Sequence, residues 1–240
     1  MAALKPDRFG REDFADCPIA ICGKAFRAHM SGALYWPGEK ALIVSDLHLA
    51  TGKRAMARGQ MLAACETRET LAKLADVIDT YDAATVIVLG NSLDGLDASG
   101  QMDGQDRETL KILQEDREWI WIAGIHDPGM ANEFGGTVVR GLKVEGITLA
   151  HKPRAGAVTH EIAGHLHPAA RLVMHGTAIR RLCFAGNGYR LIMPAFGAST
   201  GGLNILDAAF EPLFGHDGMK VWMLGQEGLY PVATRLLRED

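Results

Sequence analysis

The stretch ALIVSDLHLA, residues 41–50, ends a short apolar run on a carboxylate and an imidazole, Asp46 and His48. An oxygen donor and a nitrogen donor leaving a buried strand together suit a divalent cation. Taken alone, D-x-H reads sooner as a helix cap followed by a loop histidine, since short motifs match by chance. The same pattern recurs downstream, however. AATVIVLG runs into Asn91, WIWIAG into Ile125-His126-Asp127, ITLA into His151, and EIAG into His165 and His167. Five of the nine histidines sit at such ends, while His29, His160, His175 and His216 read as surface or packing residues. In open α/β sheets the ligand site lies beyond the carboxyl ends of the strands, so one shared edge would gather these side chains.

Carboxylate, amide and imidazole donors without thiolate suit manganese foremost, with iron or zinc as alternatives, and suit calcium less. The candidates exceed what one ion needs and approach what two would take. Two ions roughly 3.5–4 Å apart lower the pKa of a shared water and clamp both oxygens of an in-line phosphoryl displacement. The chemistry implied is metal-assisted phosphoester hydrolysis, with a histidine near the leaving oxygen as acid.

The elements that must position these groups alternate in the first half. Residues 18–35 read as two short strands broken at Gly23 and Ser31-Gly32. A helix is predicted over 67–81, with Leu71, Leu74, Ala75, Ile78 and Tyr81 on one stripe and Thr67 as its cap. Strand 83–90, helix 105–115 through Leu110 and Leu113, and strand 119–124 follow, which predicts a largely parallel sheet with helices on its faces. After Gly136 no helix is predicted. Strands are predicted over 138–144, 147–151, 161–164, 170–174, 178–185, 189–193, 220–224 and 229–232, with Asn187-Gly188 as a two-residue hairpin. The fold class is α/β: two sheets between helical layers, in one domain over 1–240.

Composition bounds the function. The 240 residues are 48% hydrophobic and 22% charged with a net charge of −4, so no global basic field points to nucleic acid. Between 140 and 190, basic residues face only Glu145 and Glu161, and this region could hold a phosphate-bearing ligand or be a solvated sheet face. The four cysteines, Cys17, Cys22, Cys65 and Cys183, form no C-x-x-C pair, which fits reduced thiols in a cytoplasm. No run of about 18 apolar residues suggests a membrane span.

The order D-x-H, G-D-x-x-D, G-N-H-[DE], a lone H and G-H-x-H resembles the calcineurin-like metallophosphoesterase superfamily. The stretches SGALYWP, SDLHLA, EIAGHLHPAARL, RRLCFA and MPAFGASTGGLN resemble more closely the bacterial DNA-ligase-associated phosphoesterases, the PdeM group linked to the DNA damage response. The resemblance spans residues 23–232. It implies a four-layer α/β/β/α sandwich and a metal-dependent phosphodiesterase or DNA endonuclease. It also implies a DNA ligase, a helicase and an exonuclease as partners. By matched position, Asp46, His48 and His167 would hold one metal, and position 91 would bridge to a second held by position 125, His151 and His165. His126 would contact the scissile phosphate or its leaving oxygen, and Asp94 would orient His126. Arg154 and Arg171 are further candidates for substrate phosphate.

The chain departs from that pattern at four positions. The bridging aspartate is Asn91, the G-N-H asparagine is Ile125, Ala50 replaces a glutamate, and Lys152 follows His151. Asparagine offers a neutral oxygen between two dications, and isoleucine offers no lone pair. The departures predict full retention of fold, one metal held tightly at Asp46, His48 and His167, and the other weakly or not at all. Two other readings compete with the enzyme: a catalytically impaired relative serving as a binding or scaffold module, which Asn91 and Ile125 favour, and a small-molecule phosphatase. The absence of a membrane-binding amphipathic stretch argues against lipid substrates.

Overall fold

A computed structural model describes residues 15–49, 63–93, 102–124, 134–156, 160–198, 200–214 and 218–240. The first sheet is built from β1 (Asp16–Ile21), β2 (Lys24–His29), β3 (Leu34–Trp36), β4 (Ala41–Val44), β5 (Thr85–Leu89), β6 (Glu118–Ile122) and β7 (Thr137–Val139), in that spatial order. Pairings from β1 to β4 are antiparallel, and those from β4 to β7 are parallel. Helices α1 (Ala63–Tyr81) and α2 (Gly104–Gln114) supply the crossovers.

β4 to β6 are near-continuous apolar runs because both faces are covered. Leu42, Val44, Val86, Val88, Trp119 and Trp121 pack with Leu71, Leu74, Ile78, Leu110 and Leu113 of the helices. Ile43, Ile87, Leu89, Ile120 and Ile122 point the other way, onto Leu149, Ile162, Phe184 and Leu191 of the second sheet. Each such side chain, fully buried, contributes about 1.5–3 kcal/mol of transfer free energy. The period of two along each strand therefore specifies two cores at once, and one-residue slippage would exchange them.

The second sheet holds β8 (Leu142–Val144), β9 (Ile147–Ala150), β10 (Glu161–Ala163), β11 (Pro168–Met174), β12 (Thr177–Gly186), β13 (Arg190–Ile192) and β14 (Leu203–Asn204). Its order is β14-β11-β12-β13-β10-β9-β8, with β15 (Lys220–Leu224) on β12 and β16 (Leu229–Val232) on β15. β9, β10 and β13 run parallel. The short helix α3 (Glu211–Phe214) covers the outer face through Leu213 and Phe214, packed with Ala163, Cys183, Ala185 and Ile192. The result is the expected α/β/β/α layering.

Several local expectations are corrected. The run 138–144 is two strands, not one: β7 closes the first sheet and β8 opens the second, so the chain changes layer around Gly141. Helix α1 begins at Ala63, which places Thr67 inside it as a buried residue and not as its cap. α3 is a helix after Gly136. The β12–β13 turn closes with the Asn187 N–H on the Arg190 carbonyl at 3.1 Å, so its central residues are Gly188 and Tyr189. Asn187 instead uses its side-chain oxygen to accept the Tyr189 and Arg190 N–H groups. Among the described residues no helix is long and apolar enough to cross a membrane, and the four cysteines are free thiols.

Candidate metal centre

The carboxyl ends of β4, β5, β9 and β10 converge, and the segments leaving them are tied to one another by main-chain hydrogen bonds. The Asp46 N–H donates to the Gly90 carbonyl at 3.2 Å, the His48 N–H to that of Asn91 at 3.0 Å, and the Gly164 N–H to that of His151 at 3.0 Å. Asp46, His48, Asn91, His165 and His167 all have φ between +45° and +73°. A left-handed backbone costs a residue with a side chain roughly 1–2 kcal/mol. Such strain concentrates where the surrounding structure forces side chains toward a site. Here it turns the chain abruptly at the ends of β4, β5 and β10, and the side chains meet.

Asp46 is the centre of the group and is fully buried. Its Oδ2 accepts the Ser45 hydroxyl and, at 2.9 Å, the His165 N–H. Its Oδ1 lies 3.2 Å from His167 Nε2 and 3.8 Å from His151 Nδ1. The rings of His48 and His167 stand edge to face with centroids 5.3 Å apart, and those of His151 and His165 do so at 4.9 Å. Two imidazole pairs thus flank one carboxylate. Burial pushes the Asp46 carboxyl up, but His167, the Ser45 hydroxyl and the His165 N–H outweigh it and hold it below the usual carboxylate range. For His165, burial and then the neighbouring His151 press its imidazole below the ordinary value, with Lys152 adding to the effect. That direction favours the neutral imidazole, which can offer a lone pair.

The donor set fits a divalent cation. Asn91 Oδ1, His151 Nε2 and His165 Nδ1 are buried without a hydrogen bond among the described residues, while Asp46 Oδ1 and His167 Nε2 face one another at 3.2 Å. Each unsatisfied buried group costs about 1–3 kcal/mol, which a bound ion would offset. Neighbouring ligands of an ion at about 2.1 Å stand roughly 3.0–3.4 Å apart, and the Asp46–His167 separation of 3.2 Å falls in that range. Asp46, His48 and His167 present ligand atoms all within 4.8 Å of one another. The His151 Nδ1 sits 3.0 Å from the Leu89 carbonyl, so that nitrogen carries the proton and Nε2 is left as the donor.

The glycines of the motifs are needed for close approach. At Gly90, φ is +73° and a Cβ would overlap the His151 ring. At Gly164 a Cβ would overlap the Ser45 hydroxyl and stand 2.7 Å from Asp46 Oδ2.

No family model and no curated protein matches the chain. Solved structures do. The chain is similar to the Pseudomonas putida nuclease MPE, at 25% identity and a TM-score of 0.69, over 90% of this chain and 100% of that one. The fold is that of a metallophosphoesterase. A looser likeness is to Yfce, a phosphoesterase from E. coli, at 13% identity and a TM-score of 0.40 over 80% of this chain and 98% of that one.

Within this metallophosphoesterase fold, the structure brings together Asp46, His48, Asn91, His151, His165 and His167. Asp94 and His126, together with Ala50 and Ile125, lie outside the described residues. Arg154 is held by Glu161, with Nε 2.9 Å from Oε1. Glu161 also pairs with the fully buried Arg190 at 2.9 Å, and Arg190 donates to the carbonyls of Arg154, Gly156 and Leu213. That network anchors the segment following His151. Arg171 points its guanidinium at the Glu239 carbonyl.

Ser45, Thr70 and Lys73 had no place in the site expected from sequence. Lys73 Nζ donates to the Phe196 carbonyl and lies 4.0 Å from that ring's centroid, and the Thr70 hydroxyl accepts the Ala198 N–H at 3.0 Å. Phe196 and Gly197 in turn donate their N–H groups to the Ser45 and Asp46 carbonyls at 2.7 and 3.1 Å. The PAFGA stretch is therefore a clamp between α1 and the Asp46 turn. Only the small polar residue at the end of the ALIVS run hinted at any of this.

Proposed function

We propose that this chain is a metal-dependent phosphoesterase acting on phosphodiester bonds, with nucleic acid as the substrate class. The observation that carries the reading is the Asp46–His48–His167 cluster, its carboxylate buried and its imidazoles half-buried, standing at the strand ends of a fold similar to that of a nuclease. Asp46, His48 and His167 would hold one divalent cation, manganese first among the choices. His151, His165 and Asn91 would hold a second more weakly. When bound, such an ion lowers the pKa of a water and offsets the charge that builds on phosphate.

The protein's own contribution is orientation and charge. The Ser45 hydroxyl and the His165 N–H occupy Oδ2 of Asp46 and leave Oδ1 turned to the imidazoles. The Leu89 carbonyl holds His151 in one tautomer. His126 is assigned to the leaving oxygen and Asp94 to its orientation, in keeping with the motif order.

A second reading, a fold retained for binding in a DNA-processing assembly, is favoured by Asn91, whose neutral oxygen stands where a bridging carboxylate would add charge. One comparison separates them: hydrolysis of a generic phosphodiester and of single-stranded DNA with Mn²⁺, by this chain and by Asn91→Asp with Ile125→Asn. Metal-dependent turnover by the chain as it stands supports the enzyme. Turnover by the double variant alone establishes a lapsed enzyme, and turnover by neither turns attention to binding partners. Cleavage of small phosphate monoesters without diesters would instead indicate a small-molecule phosphatase.

A further inference from the structure

Arg171 of β11 and Arg180 of β12 are direct partners in the antiparallel ladder. Side chains so paired rise from the same face about 5 Å apart, where like charges repel. Here an anion from within the chain relieves that repulsion. Arg180 Nε and Nη2 meet Asp240 Oδ1 at 2.8 Å and Oδ2 at 3.2 Å, a two-pronged grip, and Arg171 Nη1 donates to the Glu239 carbonyl at 2.7 Å. Arg180, with the Asn204 side chain and then the Arg171 charge adding to it, holds the Asp240 carboxyl below its ordinary range.

One loop connects the pair to the main chain of the metal centre. Arg180 Nη2 also donates to the Gly202 carbonyl at 2.6 Å. Gly202 is so close to the ligand loop that a Cβ there would lie 2.5 Å from the His167 carbonyl, which accepts the Leu203 N–H at 2.9 Å. Arg171 follows His167 by four residues, roughly 13 Å along an extended strand. Ala170 and Leu172 face the outer core, so Arg171 projects from the opposite face of the ribbon.

We propose that Arg171 and Arg180 form a subsite for a second phosphate of an extended phosphodiester, and that the Asp240 carboxylate is an internal competitor which that phosphate displaces. The nature of the ligand rests on the phosphodiesterase reading. A guanidinium fork accepts carboxylate and phosphate alike. The Arg180 and Asp240 side chains are 40% and 52% exposed, so their pairing contributes little to the fold and exchanges readily.

The test is binding of a labelled single-stranded oligonucleotide of about twelve nucleotides, in chelator, so that nothing is cleaved and failure is separate from failure of the hydrolysis assay. Asp240→Asn should bind about three- to tenfold tighter than the parent chain. Adding Arg180→Ala or Arg171→Ala should abolish that gain. Each should also flatten the slope of log affinity against log salt by roughly 0.7 for every phosphate no longer neutralised. Arg180→Lys, which keeps the charge and loses the fork, should fall between. Thermal unfolding of each variant keeps the comparison one of folded proteins, and Arg180→Gln replaces the alanine variant should that one unfold. Equal binding by the parent and Asp240→Asn overturns the proposal. So does an equal gain for a mononucleotide, which would make the pair a simple phosphate site.

Discussion

The Asp46 carboxylate and the main-chain amide of His165, 119 residues apart in sequence, meet at 2.9 Å, and through that bond the two halves of the metal centre are one unit. β4 delivers the carboxylate and β10 the amide. Losing either partner should therefore disturb ligands on both sheets.

Asp46→Asn should remove metal binding while leaving a folded protein. The amide cannot supply the negative charge, yet it fills the same space. A metal at about a hundred times its dissociation constant stabilises a native state by roughly 2.7 kcal/mol. Unfolding of the parent chain with and without Mn²⁺ should show a shift of that order, and Asp46→Asn should show none. An unchanged metal-dependent shift in the variant would place the ion elsewhere.

Asn91→Asp should act in the opposite sense on metal and on the metal-free protein. A second carboxylate near the buried Asp46 costs stability without a cation, because burial and like charge both disfavour ionisation. With metal present the added charge should raise the stoichiometry toward two tightly bound ions. Elemental analysis of the parent chain finding two already would contradict the weak second half.

Gly164→Ala should be poorly tolerated. Its Cβ would meet the Ser45 hydroxyl and Asp46 Oδ2, groups held from several sides. Overpacking of this kind costs about 1–3 kcal/mol. Denaturant unfolding should show that loss, and metal affinity should fall with it because Asp46 must shift. Undiminished affinity would mean that the β4 and β10 ends are freer to move apart than their hydrogen bonds imply.

Lys73 should give the protein a pH dependence on the alkaline side. Burial lowers its amine to about 8 from 10.5, against the opposing charge of Glu69. Between those values the unfolded chain binds more protons than the folded one, so stability rises with pH through that window. Below about 8 the penalty is constant, and above 10.5 it is gone. The stability of the parent minus that of Lys73→Met should climb across this range by at most roughly 3 kcal/mol. A flat difference would show that the amine reaches water despite its contact with Phe196.

Much of this protein is legible in one dimension. Apolar runs of four or five residues closing on Asp46 and Asn91 read as strands buried on both faces, because period and length are local properties. That Asp46 and Asn91 share one edge follows from chain order, since parallel strands with helical crossovers must point the same way, whereas His151 and His165 leave strands joined without a helix. The helical stripe of α1 is a local signal too, found where expected though the helix starts four residues earlier, and so is the hairpin near Asn187, displaced by one residue.

What only the tertiary structure decided depends on pairs far apart in the chain. The left-handed turns at Asp46, His48, Asn91, His165 and His167 are imposed by neighbouring segments, against the preference of each residue. The switch of sheets between β7 and β8 answers to which edge is open, not to the residues in between. Lys73 looks like any solvated helix lysine until Phe196 closes over it. Arg180 looks like ordinary surface charge until the ladder sets it opposite Arg171 with Asp240 alongside. Close approach and charge pairing act through space, and no spacing in the sequence records the distance.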